Sequence, residues 1–236
     1  MVGILTDKLD DFIQKIKDIQ NKYNLPEGVP NLKSKTLRHF DIDEMYLNGI
    51  DYYNSCGEVF RSFENFLKEN LHVNTRFTSR FKTFESFEKK WEKNSRIGQE
   101  KKFYKACNDI LGYRFIVDCK EEDLVNLINS LKLDDVTIID FYSNKKTNDD
   151  GYRGIHMYFW YNRRGFPIEF QIWTIKDALL QFYTHEIIYK GSNSVSKKQY
   201  AKELRNWLDL IPSGPSDLEL DYIRYLYSVL NKDKEL

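Results

Sequence analysis

The sequence predicts an α/β (α+β) fold, in which a mixed β-sheet of about five strands is flanked by helices and preceded by a helical layer. In the first third of the chain, apolar residues recur every three or four positions, as on the buried face of an amphipathic helix. In the centre the apolar period changes to two, in segments rich in β-branched and aromatic residues. After Thr174 the helical period returns. The sequence therefore indicates a sheet between two helical regions.

Two helices are predicted before the sheet, and they form an N-terminal helical region, residues 1–72. The apolar stripe of the first helix consists of Leu5, Leu9, Phe12, Ile16, Ile19 and Tyr23. Pro26 and Pro30 end this helix, because proline cannot continue its hydrogen-bond ladder. The second helix covers residues 41–71. We expect a structural role for both helices.

The predicted sheet belongs to a core region, residues 73–192. Its strands are predicted at residues 113–119, 136–142, 155–161 and 166–173, and residues 76–82 also show strand-like spacing. A helix at residues 121–131 follows the first of these four strands. In the last strand, alternation places Phe166, Ile168, Phe170 and Ile172 on one face and Glu169, Gln171 and Trp173 on the other. Glu169 therefore points away from the apolar core.

Helices are predicted again after the sheet. They extend to about residue 190 and then cover residues 197–210 and 216–230. The last two form a C-terminal region, residues 193–236. We expect all three regions to pack into a single compact unit, since the chain is long enough to bury one core with a helical annex.

The composition excludes several classes of protein. Thirty-six basic and thirty-six acidic residues cancel, so any affinity for nucleic acid must come from a local patch. One such patch is residues 80–105, where nine basic and four acidic residues leave a net charge of +5. Cys56, Cys107 and Cys119 are odd in number and lack C-x-x-C spacing, which argues for reduced core cysteines over disulfides or a zinc site. Neither a signal region nor about 18 consecutive apolar residues are present, so we expect a cytoplasmic protein without a membrane partner.

Two carboxylates near predicted strands are candidates for chemistry. Asp109 precedes a strand whose next polar side chain is Arg114, so a purely structural ion pair is one interpretation. Glu169 lies on an otherwise apolar strand, where a carboxylate either faces water or binds a ligand. Together, Asp109 and Glu169 could hold one Mg²⁺, which prefers a few carboxylate oxygens together with water and phosphate. They could instead accept a proton from an attacking hydroxyl, and the two roles are not exclusive.

A glycine-bracketed aromatic residue is a candidate platform for a flat ligand. Gly151 and Gly154 enclose Tyr152, so the backbone can turn tightly and a base could approach the ring. Stacking of a base on an aromatic ring is worth about 1–3 kcal/mol and requires an exposed face. The alternative is an ordinary turn whose tyrosine covers the core. His156 opens the next strand, where a lone histidine can equally be a hydrogen-bonded structural residue.

A cluster of basic and hydroxyl side chains is the candidate phosphate site. Its members are Arg80, Lys82, Ser86, Lys89 and Lys90, first at strand-like and then at helix-like spacing. They could converge on a triphosphate, or they could form a solvated charged face. The chain contains no G-x-x-x-x-G-K-[ST] loop, so phosphates would be held by side chains and metal.

Five short motifs occur in a fixed order between residues 79 and 190. They are Ser79 to Lys82 with Ser86 and Lys90, Asp109 to Arg114, Gly151 to His156, Glu169 to Thr174, and His185 with Tyr189 and Lys190. Their order and spacing resemble the synthetase domain of the RelA/SpoT nucleotide pyrophosphokinases. That family carries S-R-x-K…S…K, D-I-x-G-x-R, G-Y-R-S-x-H, E-I-Q-I-R-T and E-H-x-x-x-Y-K. The resemblance covers roughly residues 76–190, and five motifs in order are far more specific than one.

The resemblance implies transfer of the β,γ-pyrophosphate of ATP to a ribose 3′-hydroxyl, with release of AMP. The implied ATP-binding residues are Arg80 and Arg114 around the adenine, and Lys82, Ser86 and Lys90 at the phosphates. Asp109 would hold Mg²⁺, and Glu169 would assist the metal or activate the hydroxyl. The implied acceptor-binding residues are Tyr152, which would stack on the acceptor base, and Arg153, His156 and Gln171. No hydrolase domain is expected, because the first 75 residues contain no H-D pair.

Several positions depart from the members that use GDP or GTP to make ppGpp or pppGpp. Asn148 replaces a lysine, Gly154 replaces the motif serine, Trp173 replaces the motif arginine, and Asp149 and Asp150 directly precede Gly151. The two negative charges beside Tyr152 would repel a guanosine diphosphate, although Lys145 and Lys146 could compensate. An ordinary GDP site is therefore less favoured.

The family also contains small toxins, paired with antitoxins, some of which modify the 3′-terminal adenosine of the tRNA CCA end. We therefore expect a translation-inhibiting toxin with tRNA as acceptor and an antitoxin protein as a further partner. Lys197, Lys198, Lys202 and Arg205, together with the patch at residues 80–105, would contact phosphates of the acceptor stem. Alarmone synthesis from a guanosine nucleotide is the alternative, an adenosine nucleotide acceptor is another, and a non-catalytic RNA-binding module is a remote third. The oligomeric state is left open.

Overall fold

The computed structural model describes residues 2–22, 30–71, 75–96, 100–130, 133, 136–144, 151–161, 165–184 and 195–210. Before the sheet lie α1 (Val2–Lys22), a 3-10 turn (Leu37–His39) and α2 (Ile42–Leu71). The strands are β1 (Thr75–Phe81), β2 (Leu111–Val117), β3 (Val136–Asp140), β4 (Ile155–Phe159) and β5 (Ile168–Thr174). Between β1 and β2 lie α3 (Phe84–Asn94) and α4 (Phe103–Ala106), between β2 and β3 lies α5 (Glu121–Ser130), and after β5 come α6 (Ile175–Tyr183) and α7 (Val195–Leu210).

The strands form one mixed, five-stranded sheet in the order β1-β2-β5-β4-β3, which confirms the predicted fold class. Strands β2 and β5 are parallel, and the other three neighbouring pairs are antiparallel. Strand β2 begins two residues earlier than predicted, because Gly112, which the sequence suggests as a turn residue, pairs with Arg80 and Glu169. Strand β5 begins two residues later than predicted, after Pro167, which has no N–H for the ladder.

One face of the sheet packs against α1 and α2. Phe12 of α1 meets the rings of Phe159 and Phe170 in T-shaped contacts, with centroids 6.1 and 5.7 Å apart. Phe60 of α2 stacks on Tyr113 and contacts Phe170. These side chains belong to one continuous hydrophobic cluster, and fully burying each phenylalanine is worth about 1.5–3 kcal/mol. Both N-terminal helices therefore share the core of the sheet, as expected for a structural role.

Gln20 of α1 is fully buried and ties this helix to the connection between β4 and β5. Its Nε2 donates to the carbonyl oxygens of Phe159 and Phe166 at 3.3 and 3.0 Å, and its Oε1 accepts from the N–H of Tyr161 at 2.7 Å. A buried amide is tolerated only where its polar atoms find such partners. The side chains of Leu5 and Leu9, together with Tyr23 and Pro26, lie outside the described residues, so their place in the stripe stays a prediction.

The second face of the sheet is covered in part by α6, and α7 is attached to α6 and to Gly151. Ile116, Trp173, Ile175 and Ala178 form a small apolar cluster under α6. Arg205 of α7 is buried, with Nη2 2.6 Å from Oδ1 of Asp177, and its Nε donates to the carbonyl of Gly151 at 2.9 Å. The expected contact of Arg205 with an acceptor stem is therefore wrong, because its charge is neutralised inside the protein. Lys198 is exposed, whereas the side chain of Lys197 and the predicted helix at 216–230 lie outside the described residues.

The cysteines agree with the sequence prediction. Cys56, Cys107 and Cys119 are all free. Burial raises the pKa of each thiol to about 12, which keeps it protonated and unreactive near neutral pH. None of the helices in the described part of the chain is long and apolar enough to cross a membrane.

Candidate active site

Two rows of side chains cross the second face of the sheet and define the candidate site. The first row contains Arg80, Gly112, Glu169, Tyr158 and Thr137, and the second row contains Thr78, Arg114, Gln171, His156 and Ile139. Cross-strand neighbours of this kind have Cβ atoms about 4.5–5.5 Å apart in antiparallel pairs. The strand register therefore brings five of the predicted site residues, from four strands, onto one surface.

Glu169 occupies the centre of the first row and is 5% exposed. Its Oε1 accepts from the hydroxyl of Tyr158 at 2.8 Å and lies 3.1 Å from Nδ1 of His156. Its Oε2 accepts from Nε2 of Gln171 at 3.1 Å. A buried carboxylate is costly unless donors replace the lost water. These three donors supply that replacement and fix the orientation of the carboxylate.

A chain of hydrogen bonds continues from Glu169 through His156 to Tyr152. Nε2 of His156 is hydrogen-bonded to the hydroxyl of Tyr152, which also accepts from Nε1 of Trp173 at 3.0 Å. Because an indole N–H can only donate, the Tyr152 oxygen is the acceptor in its contact with Trp173. Nδ1 of His156 faces the Glu169 carboxylate, which can only accept, so Nδ1 is placed as the donor. Burial raises the pKa of the Tyr152 hydroxyl, which keeps this hydroxyl protonated.

The Tyr152 ring is held by other aromatic side chains. It meets the rings of Phe141, His156 and Trp173 in T-shaped contacts, with centroids 5.5, 5.4 and 6.2 Å away. The residue is half-buried rather than fully open. These contacts fix the ring beside Glu169, and its function as a platform for the acceptor base stays a prediction.

Trp173 and Gly154, which replace the arginine and the serine of the family motifs, are in direct contact. A Cβ at residue 154 would lie 2.7 Å from Cδ1 and 2.8 Å from Nε1 of Trp173, and Gly154 has a φ of +154°, which L side chains rarely adopt. The guanidinium carbon of Arg114 lies 3.9 Å from the centre of the Trp173 ring. Arg114 also donates to Oε1 of Gln171 through Nε and Nη2, at 3.2 and 2.9 Å. The differences from the family motifs at residues 154 and 173 therefore affect the same packing contact.

Asp109 precedes β2 and is paired with two lysines. Its Oδ2 accepts from Nζ of Lys82 at 2.8 Å, and its Oδ1 accepts from Nζ of Lys90 at 2.7 Å. Burial alone would raise the pKa of Asp109, but the two ammonium groups outweigh it and hold the pKa below its ordinary value. Asp109 is thus paired with Lys82 and Lys90 rather than with Arg114, and the phosphate-binding role of the two lysines stays a prediction.

A narrow cleft lies over Gly112, between the two rows. It is lined by Thr78, Arg80, Gly112, Tyr113, Arg114, Glu169 and Gln171. A Cβ at residue 112 would come within 3.6 Å of the Arg80 carbonyl oxygen and 3.9 Å of Oε2 of Glu169. The missing side chain therefore leaves room between the arginine and the carboxylate. We refer to this space as the donor cleft.

Other predicted site residues lie at positions that are less favourable for direct contact with a ligand. Ser86 is exposed on α3, where its hydroxyl accepts from Thr83 at 3.0 Å. Arg153 is 6% exposed and donates to the Tyr152 carbonyl at 2.8 Å, which does not favour direct contact with an acceptor. Lys145, Lys146, Asn148, Asp149, Asp150, His185, Tyr189 and Lys190 lie outside the described residues, so the expectations for them stay predictions.

Sequence reasoning missed Tyr158, which donates to Glu169. The signal was present, because Tyr158 follows His156 by two residues on the same strand and therefore points to the same face. It also missed Asn108, whose Oδ1 accepts from Nζ of Lys90 at 3.3 Å.

The carboxylates fit a Mg²⁺ ion that arrives with a nucleotide. Mg²⁺ is commonly bound through one or two carboxylates together with water and substrate phosphates, and Asp109 and Glu169 supply two. Among the described side chains, no group of three or more His, Cys, Asp or Glu residues could hold a metal ion. Further ligands would therefore have to come from phosphates and water.

Comparison with known proteins agrees with this geometry. The family model described as "Region found in RelA / SpoT proteins" matches residues 79–194. The small alarmone synthetase 1 of Bacillus subtilis, solved with its product pppGpp, is 20% identical, with a TM-score of 0.51 over 79% of this chain and 99% of that chain. A GTP pyrophosphokinase family protein from Streptococcus pneumoniae is 21% identical, with a TM-score of 0.50 over 76% of this chain and 93% of that chain. No curated protein matches the chain.

These findings confirm the predicted RelA/SpoT-type region and the predicted fold. They also support the prediction of a pyrophosphokinase of that type. The matched residues include four of the strands completely, Asp109, the hydrogen-bonded chain around Glu169 and, except for Thr78, the lining of the donor cleft.

Proposed function

Since residues 79–194 of this chain form a RelA/SpoT region, we propose that the protein is an ATP-dependent pyrophosphokinase whose acceptor is the 3′-hydroxyl at the CCA end of tRNA. The observation that carries the proposal is the position of Glu169. Oε2 of Glu169 lies at the donor cleft near Gly112. Oε1 accepts from Tyr158 and His156 on the β4 side. Glu169 therefore stands between a space for ATP and the predicted acceptor residues.

In the proposed reaction the 3′-oxygen of the acceptor attacks the β-phosphorus of ATP. A bond forms between these two atoms, the bond from the β-phosphorus to the α,β-bridging oxygen breaks, and AMP leaves with that oxygen. Glu169 accepts the hydroxyl proton as general base. Its three hydrogen bonds keep the free lone pairs of the carboxylate aligned, which is the positioning that phosphoryl-type transfer depends on.

The charged groups of the site neutralise ATP. Arg80 and Arg114 line the donor cleft, where they would hold the adenine. Lys82 and Lys90, now paired with Asp109, would exchange part of this pairing for phosphate oxygens. Bound Mg²⁺, held by Asp109 with support from Glu169, would neutralise phosphate charge.

The acceptor side favours an RNA end over a free guanosine nucleotide. A 5′-di- or triphosphate carries several negative charges and requires cations, whereas the last nucleotide of an RNA presents a single phosphodiester. Trp173 stands in place of the motif arginine, and its indole is used for contacts with Tyr152 and Arg114. Arg153 is buried. The loss of cationic groups near Tyr152 thus supports the tRNA acceptor.

A pyrophosphate on the 3′-end of tRNA would block aminoacylation, because the amino acid is attached to the same terminal ribose. The proposed role of the protein is therefore that of a cytoplasmic inhibitor of translation, which an antitoxin protein would neutralise. In cells, we expect expression of the protein to stop growth by blocking translation.

The test is to incubate the protein with Mg²⁺ and ATP labelled at the γ-phosphate, in parallel with deacylated tRNA, GDP, GTP or AMP, and to separate the products. Label on tRNA that is lost after removal of its 3′-terminal adenosine would support the proposal. Label on GDP or GTP alone would identify an alarmone synthetase and contradict the tRNA acceptor. A protein that binds tRNA but consumes no ATP with any acceptor would be a non-catalytic RNA-binding module.

A further inference from the structure

A second, larger cleft of about 630 Å³ opens at the β3 edge of the sheet. We call it the edge cleft, and its main lining residues are Lys33, Tyr104, Lys105, Asn108, Tyr158 and Trp160. Its volume lies within the roughly 300–1,000 Å³ of clefts that bind small ligands and cofactors. Its described lining residues include none of the predicted ATP-binding residues and none of Tyr152, Arg153, His156 and Gln171.

The edge cleft adjoins the catalytic groups through two of its lining residues. Tyr158 donates to Oε1 of Glu169 at 2.8 Å, and it follows Glu169 in the first row of the site. Asn108 precedes Asp109 and accepts from Nζ of Lys90 at 3.3 Å. A ligand in the edge cleft would therefore lie against Tyr158 and Asn108, which directly adjoin the carboxylates of Glu169 and Asp109.

Two adjacent aromatic rings in the cleft are each contacted by a lysine. The rings of Tyr104 and Trp160 are 4.8 Å apart with an interplanar angle of 31°. Nζ of Lys33 lies 5.2 Å from the centre of the Trp160 ring, and Nζ of Lys105 lies 5.7 Å from the centre of the Tyr104 ring. Both rings are half-buried and both lysines are exposed. Among the described lining residues none is acidic.

The fold holds the two walls of the cleft together. Residues 35–37 pair with residues 101–103: the N–H of Phe103 donates to the Lys35 carbonyl at 3.0 Å, and the N–H of Leu37 donates to the Lys101 carbonyl at 3.2 Å. Lys33 is thereby kept beside Tyr104 and Lys105. A preformed cleft of this kind lowers the ordering cost of binding.

This chemistry is that of sites for single-stranded nucleic acid, in which bases stack on aromatic rings and cations follow the phosphates. We propose that the edge cleft binds the single-stranded RNA nucleotides that adjoin the acceptor ribose. This inference rests on the proposed tRNA acceptor and adds to it a second contact region for the 3′-end. A free mononucleotide acceptor would leave the cleft empty, so the cleft would distinguish an RNA end from a nucleotide.

The test uses the full chain and a dye-labelled single-stranded RNA that ends in CCA, without ATP, followed by fluorescence anisotropy at several salt concentrations. We expect Tyr104→Leu to weaken binding by about 5- to 100-fold, in line with the stacking energies of single bases. The double variant Lys33→Gln, Lys105→Gln should lower the slope of log K against log salt by about 1.4, since each phosphate contact contributes roughly 0.7 on single strands. Lys15→Gln is the control, because Lys15 is exposed on α1, is paired with Asp11, and does not line the cleft.

A second readout separates this inference from the proposed function. In label transfer, the edge-cleft variants should raise KM for the CCA-ended RNA while KM for ATP stays unchanged. RNA binding that is equal in Tyr104→Leu and the unchanged protein would overturn the inference, even if tRNA proves to be the acceptor. If only guanosine nucleotides are labelled, the proposed function fails, and Tyr104-dependent RNA binding would still support an RNA-binding cleft.

Discussion

Cδ1 of Trp173 lies only 2.7 Å from the position that a Cβ at residue 154 would occupy. A real Cβ cannot come this close to a ring atom, so the tryptophan requires glycine at residue 154. The two residues lie side by side because Ile155 pairs with Ile172 in antiparallel register. Both positions differ from the family motifs, and a serine at residue 154 would clash with Trp173.

We therefore expect a strong coupling between these two positions. Gly154→Ser should destabilise the protein by about 1–3 kcal/mol, the usual cost of overpacking a filled site. In the presence of Trp173→Arg the same substitution should cost less, with a coupling of about 0.5–3 kcal/mol in a double-mutant cycle. Urea denaturation of the four proteins measures this coupling. Additive effects would show that the indole is not what excludes the serine.

Glu169→Gln should abolish most of the pyrophosphate transfer while the fold is retained. The amide keeps the size of the side chain but cannot accept the hydroxyl proton, and a general base contributes about 10²–10⁴-fold to rate. The measurement is kcat with saturating ATP and acceptor, with the melting temperature recorded in parallel. Glu85→Gln is the control, because Glu85 is exposed and paired with Lys89. Full activity in Glu169→Gln would remove Glu169 from the reaction.

Lys90→Met should raise KM for ATP at least tenfold, because a charge-assisted hydrogen bond to a phosphate is worth about 1.5–3 kcal/mol. Lys89→Met is a matched control on the neighbouring position of α3, since Lys89 contacts the exposed Glu85 rather than Asp109. Initial rates at varied ATP give both constants. Equal effects of the two substitutions would point to a general electrostatic effect of the helix in place of a phosphate contact.

The Asp109 carboxylate should stabilise the fold at neutral pH, and this stabilisation should be lost in acid. Its folded-state pKa is lowered by Lys82 and Lys90, against the opposing effect of burial. The stabilisation is therefore complete above the unfolded-state pKa of about 3.9 and is lost as the pH falls through the folded-state pKa. The difference in unfolding free energy between the unchanged protein and Asp109→Asn should shrink below about pH 4, as measured by urea denaturation. A difference that is constant from neutral pH to acid would contradict the pairing.

Gly112 should tolerate alanine but not a larger side chain. A Cβ at this position meets only ordinary contacts of 3.6 Å or more, whereas further carbons would enter the donor cleft. We expect Gly112→Ala to keep stability and moderate ATP binding, and Gly112→Leu to lose ATP binding. Calorimetric titration with a non-hydrolysable ATP analogue checks this, and tight binding to Gly112→Leu would place ATP elsewhere.

Local periodicity predicted most of the fold, because the alternation of the strands and the stripe of α1 depend on neighbouring residues. The strand order could not be predicted, since it depends on long-range pairing: β5 lies between β2 and β4 although it is last in sequence. Long-range packing also explains why the sequence misplaced Arg205 on the surface. An arginine in a sequence suggests a surface cation, and only the partner Asp177, remote in sequence, shows that Arg205 is buried. The predicted residues that do meet, Arg80, Arg114 and Glu169, were found through motif order.

The contacts of α1 have a consequence for the choice of expression boundaries. The family match starts at residue 79, inside β1, whereas Phe12 and Gln20 already pack on β4 and β5. A fragment cut to residues 79–194 would split an edge strand and uncover Phe159 and Phe170, so we expect it to aggregate. The stretch that identifies this protein is therefore smaller than the stretch that folds, and expression boundaries should retain the helix that carries Phe12 and Gln20.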